Sequence, residues 1–210
     1  MDAAETLVLG TTNAGKLREL ADLLAPLGIG CCSLAGLAAV EVEETGGSFA
    51  ANAALKASQQ ARALGRWVLA EDSGLVVEAL GGAPGIYSAR FSGADATDSR
   101  NNALLLERLA GHPASARRAH YACHAALSDP AGDIVAVSSG VCGGVIAERA
   151  QGAGGFGYDP LFIVPEYHRT FGELSPAVKA VISHRARALR AMTPAIVRCL
   201  LPKRPSADDR

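Results

Sequence analysis

The sequence has few aromatic residues and almost no net charge. Aromatic side chains make up 5% of its 210 residues, and the formal net charge is −1. A chain with so little net charge has no overall positive field that would attract nucleic acid or an acidic membrane. Neither is therefore expected as a partner, and a polyanionic substrate would have to be bound by local groups and a metal.

Cysteine pairs at the usual spacings and long apolar runs are also missing. The five cysteines are scattered, odd in number and without a C-x-x-C pair, which argues against a disulfide framework or a structural zinc site. The first residues, MDAAETLVLGTTN, do not form a signal peptide. No apolar stretch approaches the length that spans a bilayer. We expect a reduced, cytoplasmic protein without a membrane segment.

Apolar residues are plentiful, at 49% of the chain against 20% charged residues. This balance allows a sizeable core and excludes wholesale disorder. We expect one domain over residues 1–201, followed by a polar tail over residues 202–210.

Apolar periodicity and cap residues predict alternating strands and helices and one hairpin, which together indicate an α/β fold with a mixed sheet. Two carboxylates, Glu71 and Asp72, directly follow a predicted strand. Strands are predicted at residues 6–10, 67–70, 75–80, 119–127, 134–137 and 161–164, and helices at 16–27, 48–65 and 183–201, with another beginning at Thr97 or Asp98.

Gly10–Lys16 reads GTTNAGK and fits the phosphate-loop pattern G-x-x-x-x-G-K between a strand and a helix. Such a loop offers backbone N–H groups and a lysine to phosphate oxygens. However, Leu17 follows where a P-loop needs a hydroxyl group for magnesium. An ordinary strand–turn–helix remains an equal explanation, and a P-loop ATPase or kinase remains an alternative.

A second glycine motif, at residues 152–157, satisfies the G-x-G-x-x-G pattern of dinucleotide-binding folds. That motif requires a helix to begin within it. Pro160 follows closely and disfavours a helical conformation at Asp159. The dinucleotide-binding interpretation is therefore rejected.

Two acidic clusters precede glycines: Glu41, Glu43 and Glu44 before Thr45-Gly46-Gly47, and Glu71 and Asp72 before Ser73-Gly74. Mg²⁺ prefers one or two protein carboxylates together with waters and substrate phosphates. A carboxylate near such an ion can also accept a proton from an attacking water. Solvated loop acids are the alternative.

Five blocks in order resemble the Ham1 family of inosine triphosphatases: TTNAGKLREL, EETGGSFAANAALKA, AEDSGLVVEALGGAPGIYSARFSG, GGFGYDPLF and ELSPAVKAVISHRARAL. They cover nearly the whole chain. The resemblance implies an α/β protein whose mixed sheet and flanking helices form two lobes around a central substrate cleft, usually as a homodimer. It implies Mg²⁺-dependent hydrolysis of ITP, dITP and XTP to monophosphate and pyrophosphate.

The resemblance also implies site residues. Asp72 matches the metal ligand and proton acceptor, and Glu44 the second Mg²⁺ ligand. Thr11, Thr12, Asn13, Ala14, Gly15, Lys16 and Lys56 match the triphosphate contacts, Ser73 a substrate contact, and Phe156, Gly157, Tyr158, Asp159, Lys179, His184 and Arg185 the groups that hold the base and sugar. Glu71 departs from the family, many of whose members have a second aspartate there.

The chemistry of two of these residues suits a purine. Phe156 offers a flat face for stacking, and Arg185 carries only donors, which match the 6-oxo acceptor of hypoxanthine or xanthine. An adenine amino group there would leave donors unpaired. The alternatives are a core phenylalanine, an arginine that decorates a helix start and, for the whole chain, a non-catalytic nucleotide-binding regulator.

Overall fold

A computed structural model describes residues 6–201. The predicted polar tail 202–210 and the first five residues lie outside them. The described strands are β1 (Leu7–Leu9), β2 (Cys31–Ser33), β3 (Val68–Val77), β4 (Arg118–Ser128), β5 (Ile134–Ile146), β6 (Phe162–Val164) and β7 (Arg169–Thr170), and the α-helices are α1 (Ala14–Leu24), α2 (Phe49–Leu64), α3 (Asp98–Arg108), α4 (Pro176–Ile182) and α5 (His184–Leu200).

The strands form one sheet in the order β2-β1-β3-β4-β5-β6-β7. Strand β1 runs parallel to β2 and β3, and the other neighbours are antiparallel, so the predicted α/β fold with a mixed sheet is confirmed. The chain leaves β1 toward β2 on one side and later returns as β3 on the other. Ligands of open α/β sheets bind at the carboxyl end of a strand where the order reverses in this way.

Local capping sets the ends of the first two helices. Ser48 caps α2 and Gly65 ends it in the left-handed conformation, φ 62°, as the sequence predicts. Helix α1 begins two residues before the predicted Lys16 because the side chain of Asn13 caps it. It ends at Leu24, where a 3₁₀ turn with Pro26 in its first turn leads to Gly28.

Strand β3 is continuous over Val68–Val77. The prediction of two extended segments separated by acidic residues is therefore wrong, and Glu71 and Asp72 lie in mid-strand rather than in a loop. Strand β1 pairs with β3 only at Val68 and Leu69, whereas β4 pairs with β3 along its whole length. The two acids thus stand just beyond the end of β1 and within the sheet.

Two hydrophobic clusters lie at opposite ends of the long strands β3 and β4. At one end Leu69 and Leu127 pack with residues of α1 and α5, and at the other Leu75 and Tyr121 pack with α3 and β6. A third cluster packs the alanines of α2 on β1 and β3. The polar middle of β3 separates the two ends, in agreement with the expected two lobes around a cleft.

Several elements are longer or additional compared with the prediction. Strand β5 continues to Ile146 rather than ending at Val137, and β2, β7 and the short helix α4 were not predicted. Ser183 ends α4 and caps α5. A Cβ at Gly140 of β5 would overlap the carbonyl oxygen of His184, so α5 begins in direct contact with the sheet backbone. Among the helices of residues 6–201, none combines the length and apolarity needed to cross a membrane.

Candidate active site

A cavity of about 1000 Å³ opens beside the carboxyl end of β1. Its volume is at the upper end of the range for small-molecule sites. Fifteen of the predicted site residues line it: Thr11, Thr12, Asn13, Lys16, Glu44, Lys56, Asp72, Ser73, Phe156, Gly157, Tyr158, Asp159, Lys179, His184 and Arg185. The remaining two, Ala14 and Gly15, lie in the first turn of α1. The fold therefore brings nearly the whole predicted set together.

The phosphate-loop candidate forms the start of α1. The Asn13 side chain accepts a hydrogen bond from the Lys16 N–H (3.0 Å), and Thr11 Oγ1 accepts one from the Asn13 N–H (3.2 Å). The first N–H groups of a helix have no partners within the helix and carry partial positive charge, so they favour anions. This end of the cavity therefore suits a phosphate group.

Gly15 has a different role from the glycine of a P-loop. A Cβ at this position would lie 2.6 Å from the ring of Phe156. The absence of a side chain lets the aromatic ring pack directly on the first turn of α1. The packing of Phe156 therefore accounts for the glycine of the G-x-x-x-x-G-K match without a P-loop.

The Lys56 ammonium group lies between two carboxylates. Its Nζ is 2.7 Å from Glu44 Oε1 and 3.1 Å from Asp72 Oδ1. Burial disfavours the charged form of Glu44, but the hydrogen bond and the charge of Lys56 outweigh it and lower its pKa. Burial likewise opposes the charge of Lys56, and Asp72 and Glu44 outweigh it and raise its pKa.

The same pair of carboxylates fits a weakly held hard cation. Glu44 and Asp72 both reach the Lys56 Nζ, so their oxygens converge on one cationic position at the cavity wall. Mg²⁺ takes one or two carboxylates and completes its octahedron with waters and phosphates. Within residues 6–201, no group of three or more His, Cys, Asp or Glu side chains has the arrangement of a metal cage. The donor set therefore matches Mg²⁺ bound together with a phosphate ligand.

Glu71 is a buried anion that forms ion pairs with Lys16 in α1 and with Arg185 in α5. Its side chain is fully buried, and its Oε1 is 3.1 Å from Lys16 Nζ and 3.2 Å from Arg185 Nη2. Burial disfavours its ionised form, but the charges of Lys16 and Arg185 outweigh this and hold its pKa well below the usual range. Glu71 therefore acts as the shared counter-ion of the two cations.

Most N–H groups of the Arg185 guanidinium donate to acceptors within the protein. Glu71 accepts from Nε and Nη2, Glu19 from Nη1, and Ser73 Oγ from Nη2 at 3.0 Å. A guanidinium group has five N–H donors, so these four hydrogen bonds leave one N–H on Nη1 without an acceptor in the described residues. The predicted donor fork of Arg185 is thereby reduced to a single N–H.

Phe156 and Lys179 form the neighbouring wall. The Lys179 Nζ lies 4.7 Å from the centroid of the Phe156 ring and binds the carboxylates of Asp159 and Glu19, the latter at 2.8 Å. The Phe156 N–H donates to Asp159 Oδ2 at 2.9 Å. Lys179 thus fixes the loop that carries Phe156, and a cation near the aromatic face adds a favourable interaction.

His184 lines the cavity and has a buried ring nitrogen without a partner in the described residues. Its ring stacks on Tyr121, with centroids 4.6 Å apart and planes within 8°. Burial, followed by the charge of Arg185, holds its pKa well below the usual range, so the imidazole is neutral. Within the described residues, the buried Nδ1 has no hydrogen-bond partner. A buried polar atom of this kind is costly unless a ligand satisfies it.

The neutral state of His184 predicts a pH dependence of stability. The unfolded chain protonates this residue below pH of about 6.5 whereas the folded chain does not, so stability falls as pH decreases, by about 1.4 kcal/mol in total between pH 7.5 and 5.5 for one proton. The His184→Phe variant keeps a stacking ring and should lose this slope. Urea denaturation of both proteins between pH 5.5 and 7.5 measures it, and parallel curves would contradict the assignment.

Some functional neighbours were not predicted from the sequence. Glu19 resembles a solvated residue of an amphipathic helix, and its contact with Arg185 spans 166 positions. Asn52 carries a clearer signal, because it lies among small apolar residues on the buried side of α2. Asparagine is a poor residue for a helix interior, and its burial there indicates a specific partner.

Comparison with known proteins identifies clear relatives. The sequence pattern that defines the Ham1 family matches residues 7–195. The dITP/XTP pyrophosphatase of Rhodopirellula baltica is 51% identical over 202 residues, which cover 96% of this chain and 97% of that protein. The dITP/XTP pyrophosphatase of Shigella flexneri is 46% identical, with coverage of 91% and 98%. The structure of a HAM1 protein from Coxiella burnetii superposes with a TM-score of 0.83 at 38% identity, covering 92% and 99% of the two chains.

Proposed function

The chain belongs to the Ham1 family, and from this premise we propose that it hydrolyses ITP, dITP and XTP to the nucleoside monophosphate and pyrophosphate, which removes non-canonical purines from the nucleotide pool. The observation that carries the proposal is one cavity with a helix N-terminus, two lysines and a pair of converging carboxylates. The relatives named dITP/XTP pyrophosphatase support the same activity.

The triphosphate binds at the first turn of α1. Backbone N–H groups after Asn13 and the ammonium groups of Lys16 and Lys56 meet its non-bridging oxygens. Glu44 and Asp72 would hold Mg²⁺, which would neutralise phosphate charge and polarise phosphoryl oxygens. Positioning and charge neutralisation supply most of the rate in reactions of this kind.

Asp72 accepts the proton of the attacking water. The water adds to the α-phosphorus, the bond to the β-phosphate oxygen breaks, and pyrophosphate leaves. Asp72 suits this role because it is buried at the cavity floor and held by Asn52 on one oxygen and Lys56 on the other. A base fixed in this way contributes about 10²–10⁴-fold to the rate.

The purine lies against the wall formed by Phe156, His184 and Arg185. A 6-oxo group accepts from the remaining Arg185 N–H, whereas the adenine amino group would place a donor against it. A site that requires such a hydrogen bond can discriminate against adenine by about 10⁴–10⁵-fold, whereas guanine shares the 6-oxo group and its rejection requires a further contact.

Two exposed apolar side chains on β5, Val137 and Val141, support the proposed homodimer. Sedimentation equilibrium tests this oligomeric state. The five free cysteines agree with the proposed cytoplasmic location.

Product analysis tests the proposal. Purified protein with Mg²⁺ is incubated separately with ITP, XTP, ATP and GTP, and the products are separated. We expect monophosphate and pyrophosphate from ITP and XTP, with ATP and GTP nearly unchanged and no activity without Mg²⁺. Diphosphate and orthophosphate from ATP would indicate a P-loop enzyme instead. Nucleotide binding without turnover would indicate a regulator.

A further inference from the structure

Asn52 of α2 is a buried amide that contacts both acidic segments of the cavity. It has no exposed surface. Its Nδ2 donates to Asp72 Oδ2 at 3.2 Å, and its Oδ1 accepts from the Gly46 N–H at 2.8 Å. One side chain therefore links the carboxylate on β3 to the loop that carries Glu44, two residues before Gly46.

The first hydrogen bond gives the two oxygens of the Asp72 carboxylate different partners. Asn52 binds Oδ2, while Oδ1 faces the Lys56 ammonium at 3.1 Å. The terminal torsion of an aspartate is broad and is not fixed by rotamer preference alone. The amide donor restricts this rotation, and Oδ1 stays directed toward the position on which Glu44 also converges.

The second hydrogen bond fixes a segment without regular structure. Residues 34–47 contain neither helix nor strand, so their position depends on side-chain contacts. A Cβ at Gly46 would lie 2.6 Å from Asn52 Oδ1. The glycine and the amide are thus in close contact, and this contact locates Glu44 relative to α2 together with the ion pair of Glu44 and Lys56.

We propose that Asn52 is a positioning residue that sets the spacing of the Asp72 and Glu44 carboxylates for a divalent cation. The inference rests on the proposed function, because it assigns the two carboxylates to one cation. Asn52 itself touches neither cation nor nucleotide. Its effect passes through the two hydrogen bonds, and partners of this kind typically change metal affinity or activity by about 10–100-fold.

Two variants test the inference. Asn52→Leu keeps the branched shape and the number of heavy atoms and removes both hydrogen bonds, and Asn52→Ala removes them with a residue favourable for the helix. In each we expect the dissociation constant of Mn²⁺, titrated by electron paramagnetic resonance without nucleotide, to rise about 10–100-fold. With ITP, the Mg²⁺ concentration for half-maximal rate should rise similarly, while KM for ITP at saturating Mg²⁺ changes less than about threefold, because base and lysine contacts remain.

Ser58→Ala is the matched control. Ser58 is on the same helix and donates to the Gly132 carbonyl at 2.6 Å, away from both carboxylates. This variant should lower Tm and leave the Mn²⁺ affinity unchanged. Asn52 variants whose Mn²⁺ affinity and Mg²⁺ dependence equal those of Ser58→Ala would overturn the inference. If Asn52→Leu fails to fold, Asn52→Ala decides. Failure of the proposed function is separate, because it appears as absent turnover in the wild-type protein.

Discussion

Replacing Asp72 with asparagine is expected to lower kcat for ITP by about 10³-fold while the protein stays folded. The change removes the proposed proton acceptor and one of two carboxylates that face the Lys56 position, and the loss of a general base alone costs about 10²–10⁴-fold. The amide keeps the size of the side chain and can still accept from Asn52. Initial rates at saturating ITP and Mg²⁺ measure the effect.

Asp95→Asn provides the control for this substitution, because it makes the same chemical change on an exposed loop. Its kcat should equal that of the wild-type protein. Circular dichroism and Tm should be similar for all three proteins. Near-normal turnover of Asp72→Asn would show that another residue accepts the proton.

The second large effect concerns stability. Glu71→Gln should lower the free energy of unfolding by about 2–4 kcal/mol, because Lys16 loses its buried partner and Arg185 keeps Glu19 as its one remaining counter-ion. Urea denaturation at pH 7 measures the change. Glu78→Gln, at an exposed position just beyond the same strand, should stay within about 0.5 kcal/mol of the wild-type protein.

The pH dependence of this difference identifies its cause. The pKa of Glu71 is lower in the folded than in the unfolded chain, so its contribution is complete above the unfolded pKa of about 4.3 and declines as pH falls below it. The gap between Glu71→Gln and wild type should therefore be constant from pH 5 to 8 and smaller in stronger acid. A gap that persists unchanged at pH 3 would indicate lost packing instead of lost charge.

The sequence predicted those elements whose boundaries depend on local chemistry. Helix α2 runs between Ser48 and Gly65 as predicted, because a side-chain cap and a left-handed glycine act within a few residues. Strand β3 was predicted as two pieces, since Glu71–Gly74 interrupts its apolar pattern. The interruption has a physical reason: the middle of this strand is the floor of a polar cavity, and hydrophobic periodicity does not report on such a position.

The set of site residues was predictable, but their partners were not. Nearly all residues matched through the family blocks line the cavity. The restriction of Arg185 to one free N–H depends on contacts with Glu71 and Glu19, which are 114 and 166 positions away. Burial and pairing between distant residues decide which N–H donors of Arg185 stay free. Neither can be read from a local sequence pattern.

The contact between Gly140 and the start of α5 restricts which residues can occupy position 140. The first turn of α5, which carries His184 and Arg185, rests directly on the backbone of Gly140, and a Cβ there would overlap the His184 carbonyl oxygen. Every missense change of a glycine codon adds at least a Cβ. A substitution at Gly140, a strand position that lines no part of the cavity, would therefore displace His184 and Arg185.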